Sequence, residues 1–439
     1  MPVISVIGPK GGIGKTTLSI NTAAALTRTL NKNAGRGNRV CLVDLDLRLP
    51  TISSILDSHP PKTFYDLFET LADKTYQVDY LETLYRIVSA FKSYLEGEIA
   101  ENNRQLSKAF SLYKTLGTSL FQFSRFKYGN QVYDLFLQRN SIDKPSQLRQ
   151  YAPILASIDA SDFKVILGEL RKSSALRVED YVNFIEEYGF SIIGGEVPVL
   201  GKKSHRGRIN EPAFLVLLLQ FLTQIYDRFE YVVLDTPAGG VGHISSLMNS
   251  IDQVILVFDM SNSIAINGSL DALHSFIDYY EDFYDDFNQD RLTGLDKAYV
   301  NRLIAAKGHQ AIAQTLRNKK IGLFFNRCQG PEEIPDCLGR LREYLDTLDK
   351  YEAYKDRIHI VGMMPQHRII NITNNRGALF YDKDRGLTKR MDLVAEGIVT
   401  GNQFTPTLSS SEADVLRYLE RRGKNGLVAR LGRLASSFT

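Results

Sequence analysis

The chain has 439 residues, a formal net charge of +3, and a composition that is 44% apolar and 23% charged. These values fit a globular protein with ample core, built as two or three domains or as one domain with insertions, and the mild positive charge does not by itself indicate nucleic acid as a partner. The three cysteines form no C-x-x-C pair, which argues against a structural zinc site or a disulfide framework. The sequence shows neither a signal peptide nor an apolar run long enough to span a bilayer, so we expect a cytoplasmic protein.

The first predicted elements are a strand over residues 2–7 and a helix over residues 18–26. The glycine-rich turn between them reads Gly8-Pro-Lys-Gly-Gly-Ile-Gly-Lys-Thr-Thr17. Strand, glycine-rich turn and helix are the context of a phosphate-binding loop, because glycines let the backbone wrap phosphate oxygens and the helix N-terminus adds a positive dipole end. We predict that Lys15 contacts the β- and γ-phosphates and that the Thr16 hydroxyl ligates Mg²⁺.

The loop departs from the general phosphate-loop pattern, because Pro9 stands where the first glycine is expected and Lys10 adds a second lysine. The resulting K-G-G-I-G-K-T-T is a deviant Walker A motif and resembles the ParA/MinD family of ATPases, which includes FlhG/FleN-like proteins. The resemblance implies ATP and Mg²⁺ as cofactors and an ATP-sandwich homodimer, in which Lys10 reaches the partner's phosphates. The implied nucleotide-binding residues of the loop are Gly11, Gly12, Gly14, Lys15, Thr16 and Thr17.

The second predicted strand, over residues 39–47, ends in the acids Asp44 and Asp46. In open α/β sheets the carboxyl ends of the strands carry the chemistry. The two acids match the family's D-x-D, so the resemblance implies that Asp46 positions the attacking water and that Asp44 supports the Mg²⁺ shell. Either acid could instead cap the following helix.

Residues 58–187 have the apolar spacing of several amphipathic helices and are predicted as a helical insertion. Within it, residues 104–139 are basic with interleaved aromatics, which suits phosphate contact and base stacking, but also suits a solvated helix face above core aromatics. The basic stretch 202–208 could bind a polyanion or form a mobile solvated loop.

Four apolar residues lead into Asp235, and the following Asp-Thr-Pro-Ala-Gly resembles the family's switch II. The resemblance implies a Walker B strand whose Asp235 binds Mg²⁺ through water. Gly239, Gly240 and Gly242 would then let the loop change conformation with the γ-phosphate.

Two further strands are predicted near the end of the core. Residues 320–327 end in Asn326 and Arg327 and resemble the family's adenine-reading strand, although a turn-forming asparagine is an open alternative. Residues 359–365 resemble the last core strand with its terminal Pro365. The resemblance thus adds Asn326, Arg327 and Pro365 to the nucleotide-binding residues.

The C-terminal segment places four apolar residues on one face of a possible helix, namely Leu427, Leu431, Leu434 and Phe438. MinD-like proteins end in a short basic amphipathic membrane helix, and a terminal helix docked on the body is the alternative.

We therefore predict an α/β fold, a mostly parallel, doubly wound sheet of the P-loop NTPase type with an inserted all-α subdomain. The core is split between residues 1–57 and 188–400, with the helical insertion at 58–187. A smaller insertion is expected at 281–319 and a C-terminal helical tail at 401–439.

The resemblance implies an Mg-ATP-dependent, dimerising ATPase that couples hydrolysis to reversible binding of a surface and of an unidentified partner protein, for intracellular positioning or partitioning. We favour non-specific DNA as the surface over a membrane reached through the tail. The alternatives are a membrane-associated MinD/FlhG-like regulator and a nucleotide-gated partner-binding module with little turnover. Nitrogenase-reductase relatives hold an iron–sulfur cluster between subunits, for which the three cysteines show no matching arrangement.

Overall fold

Parallel strands form the centre of the protein in the computed structural model, which describes residues 2–34, 37–45, 51–56, 58, 62, 64–115, 134–157, 163–165, 178–194, 224–225, 228–237, 252–375, 379–381 and 383–420. In these ranges eight strands form one sheet in the order β3-β4-β2-β5-β1-β6-β7-β8. Their bounds are β1 Val3–Ile7, β2 Val40–Asp44, β3 Asn183–Ile185, β4 Phe190–Ile193, β5 Tyr231–Asp235, β6 Gln253–Asp259, β7 Lys320–Cys328 and β8 Ile358–Pro365. Neighbouring strands are parallel except β3 and β4, which are antiparallel.

The central strands are buried on both faces of the sheet. Every residue of β1, β2 and β6 is buried, and successive side chains of a strand point to opposite faces. Ile255 and Val257 of β6 join one apolar core, while Val254, Leu256 and Phe258 are buried as well. Near-continuous apolar runs of this kind are typical of parallel strands covered on both sides. The predicted α/β class with a mostly parallel sheet is confirmed.

The helices fill the stretches between the strands. Their bounds are α1 Lys15–Ala34, α2 Ile52–Ile55, α3 Phe64–Leu95, α4 Arg104–Thr115, α5 Ala152–Ser157, α6 Ser263–Asn288, α7 Gly294–Lys307, α8 His309–Arg317, α9 Glu333–Thr347, α10 Tyr351–Tyr354, α11 Arg368–Asn375, α12 Arg385–Val399 and α13 Glu412–Leu419. Helix α1 packs against α12 and against β1, β2 and β5, and α6 packs against β6. None of the helices within the described ranges combines the length and the apolar character that a membrane crossing needs.

The chain divides into two compact units, which are described separately. The first comprises Met1–Leu67, Val178–Lys202 and Leu215–Thr439, and it contains the sheet. The second comprises Phe68–Arg177 and Lys203–Phe214 and has its own apolar core, built largely from α3 and α4. The domain bounds predicted from the sequence stay a prediction.

Aromatic residues of the basic stretch 104–139 lie inside the core of the second unit. The Tyr113 ring meets Phe91 and Phe136 edge to face, at centroid distances of 5.3 and 5.1 Å. The Tyr113 hydroxyl donates a hydrogen bond of 2.6 Å to the Leu135 carbonyl. Tyr113 and Phe136 therefore stabilise the unit and are not available to stack on bases. The aromatic run at 124–129 lies outside the described residues, as do the basic stretch 202–208 and the tail from residue 421.

The candidate nucleotide-binding site

The turn between β1 and α1 has the backbone shape that its glycines permit. Gly12 and Gly14 have φ values of +74° and +94°, in the left-handed region that side chains disfavour. A Cβ on Gly14 would also lie 2.5 Å from Nδ2 of Asn326, so a side chain there would displace the Asn326 amide. Helix α1 begins at Lys15, immediately after the turn, with the Leu18 amide donating to the Gly14 carbonyl. The turn thus ends where the free amides of a helix N-terminus begin, which is where anions bind.

The Lys15 side chain folds back over the loop. It is only 6% exposed, and its Nζ donates a hydrogen bond of 2.9 Å to the carbonyl of Lys10. A buried ammonium beside a loop of backbone amides is an environment that favours a polyanion. The position of Lys15 therefore fits a phosphate-binding loop.

Asp235, at the end of β5, is the buried carboxylate of the site. It is 1% exposed and accepts hydrogen bonds from the Thr16 hydroxyl at 2.6 Å and from the Ser19 hydroxyl at 2.9 Å. Hydroxyl and carboxylate oxygens are the ligands that Mg²⁺ prefers, so Thr16 and Asp235 fit a magnesium site. Ser19 was not predicted, although its spacing of three residues from Thr16 places both on one face of α1.

Asp44 lies beside Asp235, because the two residues are paired in the register of β2 and β5. Its Oδ2 atom accepts hydrogen bonds from the amides of Thr51 and Ile52, at 3.1 and 3.2 Å. Asp44 therefore caps the start of α2, the alternative that the sequence left open for the two acids. Its role toward a metal stays a prediction. Asp46 and the glycines at 239, 240 and 242 lie outside the described residues.

Lys10 projects from the loop and is 53% exposed. Its Nζ lies 3.4 Å from Oδ2 of Asp259, a fully buried carboxylate at the end of β6. Burial alone would raise the pKa of Asp259, but hydrogen bonds donated by Ser261, the charge of Arg327 and the Lys10 contact outweigh it and hold that pKa below its usual value. Asp259 was not predicted to be a site residue, although it stands at the end of a buried strand, as Asp44 and Asp235 do.

Two residues at the end of β7 hold the glycine-rich turn. Asn326 Nδ2 donates a hydrogen bond of 2.6 Å to the Ile13 carbonyl, and the Arg327 guanidinium donates to the Gly12 carbonyl. Arg327 also pairs with Asp259, at 3.4 Å. The two residues therefore tie the turn to a strand far away in the sequence.

A cavity of about 330 Å³ opens beside the turn. Gly12, Gly14 and Thr17 line it on the side of the turn, and Asn326 and Pro365 line it from β7 and β8. Leu18, Phe324, Met364, Ile370 and Phe380 add apolar side chains to the lining, and Ser261, Arg327, Gln366 and His367 add polar ones. Apolar walls with a few convergent polar groups are typical of small-molecule sites and suit a flat ring. The structure thus brings the predicted Pro365 and Asn326 together with the phosphate loop.

A glycine-rich turn leading into a helix, with a lysine folded over it and a buried carboxylate on the adjacent strand, defines the class of P-loop nucleotide-binding proteins. The model of the CobQ/CobB/MinD/ParA nucleotide binding domain matches residues 4–379 of the chain. The chain therefore belongs to this family, whose ParA and MinD members are P-loop ATPases that use ATP and Mg²⁺. The predicted family is confirmed.

Individual proteins resemble the chain over different lengths. The antiactivator FleN of Pseudomonas aeruginosa is 43% identical over 67 residues, which are 15% of this chain and 21% of FleN. The cell division ATPase MinD of Pyrococcus furiosus is 15% identical, with a TM-score of 0.41 over 91% of this chain and 98% of that one. MinD of Pyrococcus horikoshii, solved with Mg-ADP, is 14% identical, with a TM-score of 0.42 over 90% and 95% of the two chains. The family assignment rests on the family model.

Proposed function

We propose that the chain is an Mg-ATP-dependent ATPase that dimerises around ATP and couples hydrolysis to reversible binding of a surface and a partner protein. The observation that carries the proposal is the position of Lys10, half exposed at the rim of a complete phosphate loop. A lysine whose only task was to bind phosphate in its own loop would be expected to lie inside it, as Lys15 does. An exposed second lysine is suited to reach the phosphates of another copy.

Phosphate binding is assigned to the loop and the first turn of α1. The backbone amides from Gly11 to Thr17 would surround the phosphates, and Lys15 would exchange its bond to the Lys10 carbonyl for a phosphate oxygen. This exchange is supported by the Lys15 bond itself, since a buried ammonium must keep a partner in each state. Gly12 and Gly14 provide the backbone turn.

Magnesium would be held by Thr16 directly and by Asp235 through water, with Asp44 supporting the shell. Bound Mg²⁺ supplies positive charge that offsets the charge developing on the phosphate oxygens. Support comes from the Thr16–Asp235 hydrogen bond, which already points both oxygen groups at one place. Asp44 is adjacent to Asp235 in the sheet register.

The adenine ring would occupy the cavity beside Pro365. Asn326 donates through Nδ2 to the Ile13 carbonyl, and its Oδ1 atom is the one proposed to accept a hydrogen bond from the base edge. Arg327 and Pro365 complete the cavity wall. Asp46 is proposed to orient the attacking water, and Lys10 of the second copy to stabilise the charge on the γ-phosphate.

The surface is proposed to be non-specific DNA. Arg104 and Lys108 are exposed one helical turn apart on α4, so both charges lie on one face. Because Tyr113 and Phe136 are core residues, binding through this helix would depend on phosphate contacts rather than on stacking. In a dimer each patch occurs twice, so modest contacts add through effective concentration.

Two lysine substitutions test the dimerising ATPase. Lys15→Ala should abolish nucleotide binding, since it removes the ammonium inside the loop. Lys10→Ala should retain some binding but lose both the ATP-dependent dimer and hydrolysis. Fluorescent-nucleotide titration, sedimentation velocity with ATP, and phosphate release measure the three properties.

Lys32→Ala is the matched control, because Lys32 is an exposed lysine at the opposite end of α1. Normal hydrolysis by the Lys10→Ala protein would show that the role in trans is wrong. A wild-type chain that dimerises with ATP but releases no phosphate would instead indicate a nucleotide-gated partner-binding module.

A further inference from the structure

The Asp259 carboxylate lies between two cations of the nucleotide site. Its Oδ2 atom is 3.4 Å from both Lys10 Nζ and Arg327 Nη1, and its side chain is fully buried. Strand β6, which Asp259 ends, lies between β1 and β7 in the sheet. One carboxylate therefore connects the exposed lysine of the loop with a residue of the base cavity.

The two cations differ in how firmly they are held. The Arg327 guanidinium also donates to the Gly12 carbonyl, and its own backbone is in the left-handed region, with φ of +63°. A non-glycine residue keeps that conformation only where its surroundings enforce it. Lys10 carries its charge on a flexible four-carbon stem and is 53% exposed. Lys10 can therefore turn away from the carboxylate more readily than Arg327, whose guanidinium the Gly12 carbonyl also holds.

We infer that Asp259 is a positioning residue. In the monomer it holds Lys10 beside its own chain, and it thereby opposes the contact of Lys10 with the phosphates of a second copy. The inference rests on the proposed role of Lys10 in an ATP-bound dimer. When Lys10 turns toward the phosphates of a second copy, Arg327 stays beside Asp259, so the buried carboxylate keeps a cationic partner. Because the Lys10 end of the pair is half exposed and Arg327 remains beside the carboxylate, the loss of the Lys10 contact is small enough for ATP binding to offset.

Asp259→Asn tests this role with little change of shape. The asparagine oxygen can still accept the hydrogen bond that the Ser261 amide donates to Asp259 at 3.2 Å, while the charge that holds Lys10 is removed. Sedimentation velocity with a non-hydrolysable ATP analogue should show a dimer dissociation constant about 3- to 10-fold lower than that of the wild type, because each dimer contains two such pairs.

Two further variants serve as comparisons. Asp278→Asn, on α6, likewise removes one carboxylate charge, here from an ion pair with Lys350. It should leave the dimer dissociation constant unchanged. Arg327→Gln removes the other partner of Asp259 and should weaken nucleotide binding without tightening the dimer. The Arg327→Gln protein thus shows how a disturbed cavity affects nucleotide binding and dimerisation when Asp259 keeps its charge.

The outcomes separate the inference from the proposed function. A wild type that dimerises, together with an Asp259→Asn protein that dimerises equally or more weakly, would overturn the inference alone. An Asp259→Asn protein that behaves like Arg327→Gln would also overturn it, because Asp259 would then act only through Arg327. If the Asp259→Asn protein dimerises and the wild type does not, the result would support the inference that Asp259 restrains Lys10 in the monomer. If neither protein dimerises with the analogue, both the inference and the dimerising cycle are wrong.

Discussion

Gly14 is the residue at which the glycine-rich turn meets the cavity beside it. Its φ is +94°, and a Cβ atom at this position would lie only 2.5 Å from Asn326 Nδ2, so any side chain would be strained and would displace the Asn326 amide. Gly14→Ala should therefore lower the free energy of unfolding by about 1–3 kcal/mol and weaken nucleotide binding by roughly tenfold or more, since Asn326 must leave the Ile13 carbonyl. Urea unfolding and nucleotide titration measure the two effects.

Gly268→Ala is the control for that substitution. Gly268 lies inside α6, and a Cβ there would meet no atom within 4 Å. Alanine should leave nucleotide binding unchanged and raise the free energy of unfolding by about 0.5–1 kcal/mol, the helix preference of alanine over glycine. Equal nucleotide affinity of the Gly14→Ala and wild-type proteins would contradict the role given to Gly14.

The residues that surround the glycine-rich turn could be predicted where one short stretch of sequence contains them. Lys10, Lys15 and Thr16 lie close together in one short motif, so the sequence pattern alone indicates phosphate binding. Asp259 and Ser19 were missed because their roles depend on which strand lies next to which. No local pattern reveals that β6 is the neighbour of β1, and that neighbourhood brings Asp259 to Lys10.

At the scale of elements, the strands were predicted better than the helices between them. Buried parallel strands are short apolar runs with polar residues at or near their carboxyl ends, such as Asp235 in β5 and Asn326 in β7. Helix α6 continues as far as Asn288, because its buried face persists through Tyr280, Phe283 and Phe287. The acidic residues near its end therefore belong to the exposed side of α6.

His359 joins β8 to the segment that follows α12. It is 7% exposed, and its Nδ1 atom lies 3.0 Å from the Thr405 hydroxyl. Burial, with a smaller contribution from the charge of Lys320, lowers the pKa of His359 from 6.5 to about 4. The unfolded chain therefore binds a proton between these two pH values that the folded chain does not.

Stability should fall as the pH drops from about 6.5 to about 4, with up to about 3 kcal/mol of the loss due to His359. His359→Asn should flatten this dependence, which urea unfolding at about pH 7 and about pH 5 can measure. Substituting His309, which is exposed on α8, by glutamine serves as the control. An unchanged pH dependence in the His359→Asn protein would show that other groups cause the loss.

At the scale of the whole molecule, the charge on α4 offers a test of the proposal that the chain binds DNA. Arg104→Glu with Lys108→Glu should weaken binding to DNA of any sequence and reduce the salt dependence by about one unit of slope per lost phosphate contact. Fluorescence anisotropy with ATP, over a series of salt concentrations, measures both quantities.

Arg317→Glu, an exposed charge reversal on α8, is the control for the α4 substitutions. A truncation before Leu427 tests the membrane alternative, because liposome binding through the tail would need its apolar face. Two results together would show that the proposed surface is wrong: unchanged DNA binding after the α4 charge reversals, and loss of liposome binding after the truncation. A membrane would then be the surface that the protein binds.

The nucleotide site joins stretches of chain that are synthesised at very different times. Thr16 and Asp235 are 219 positions apart, and Ile13 and Asn326 are 313 positions apart. Contacts between such distant segments form late in folding, because closing long loops costs entropy before any contact offsets it. The phosphate loop therefore leaves the ribosome well before the strands that complete its cavity. ATP can bind only the finished sheet, so it should slow unfolding of the mature protein without guiding the first steps of its folding.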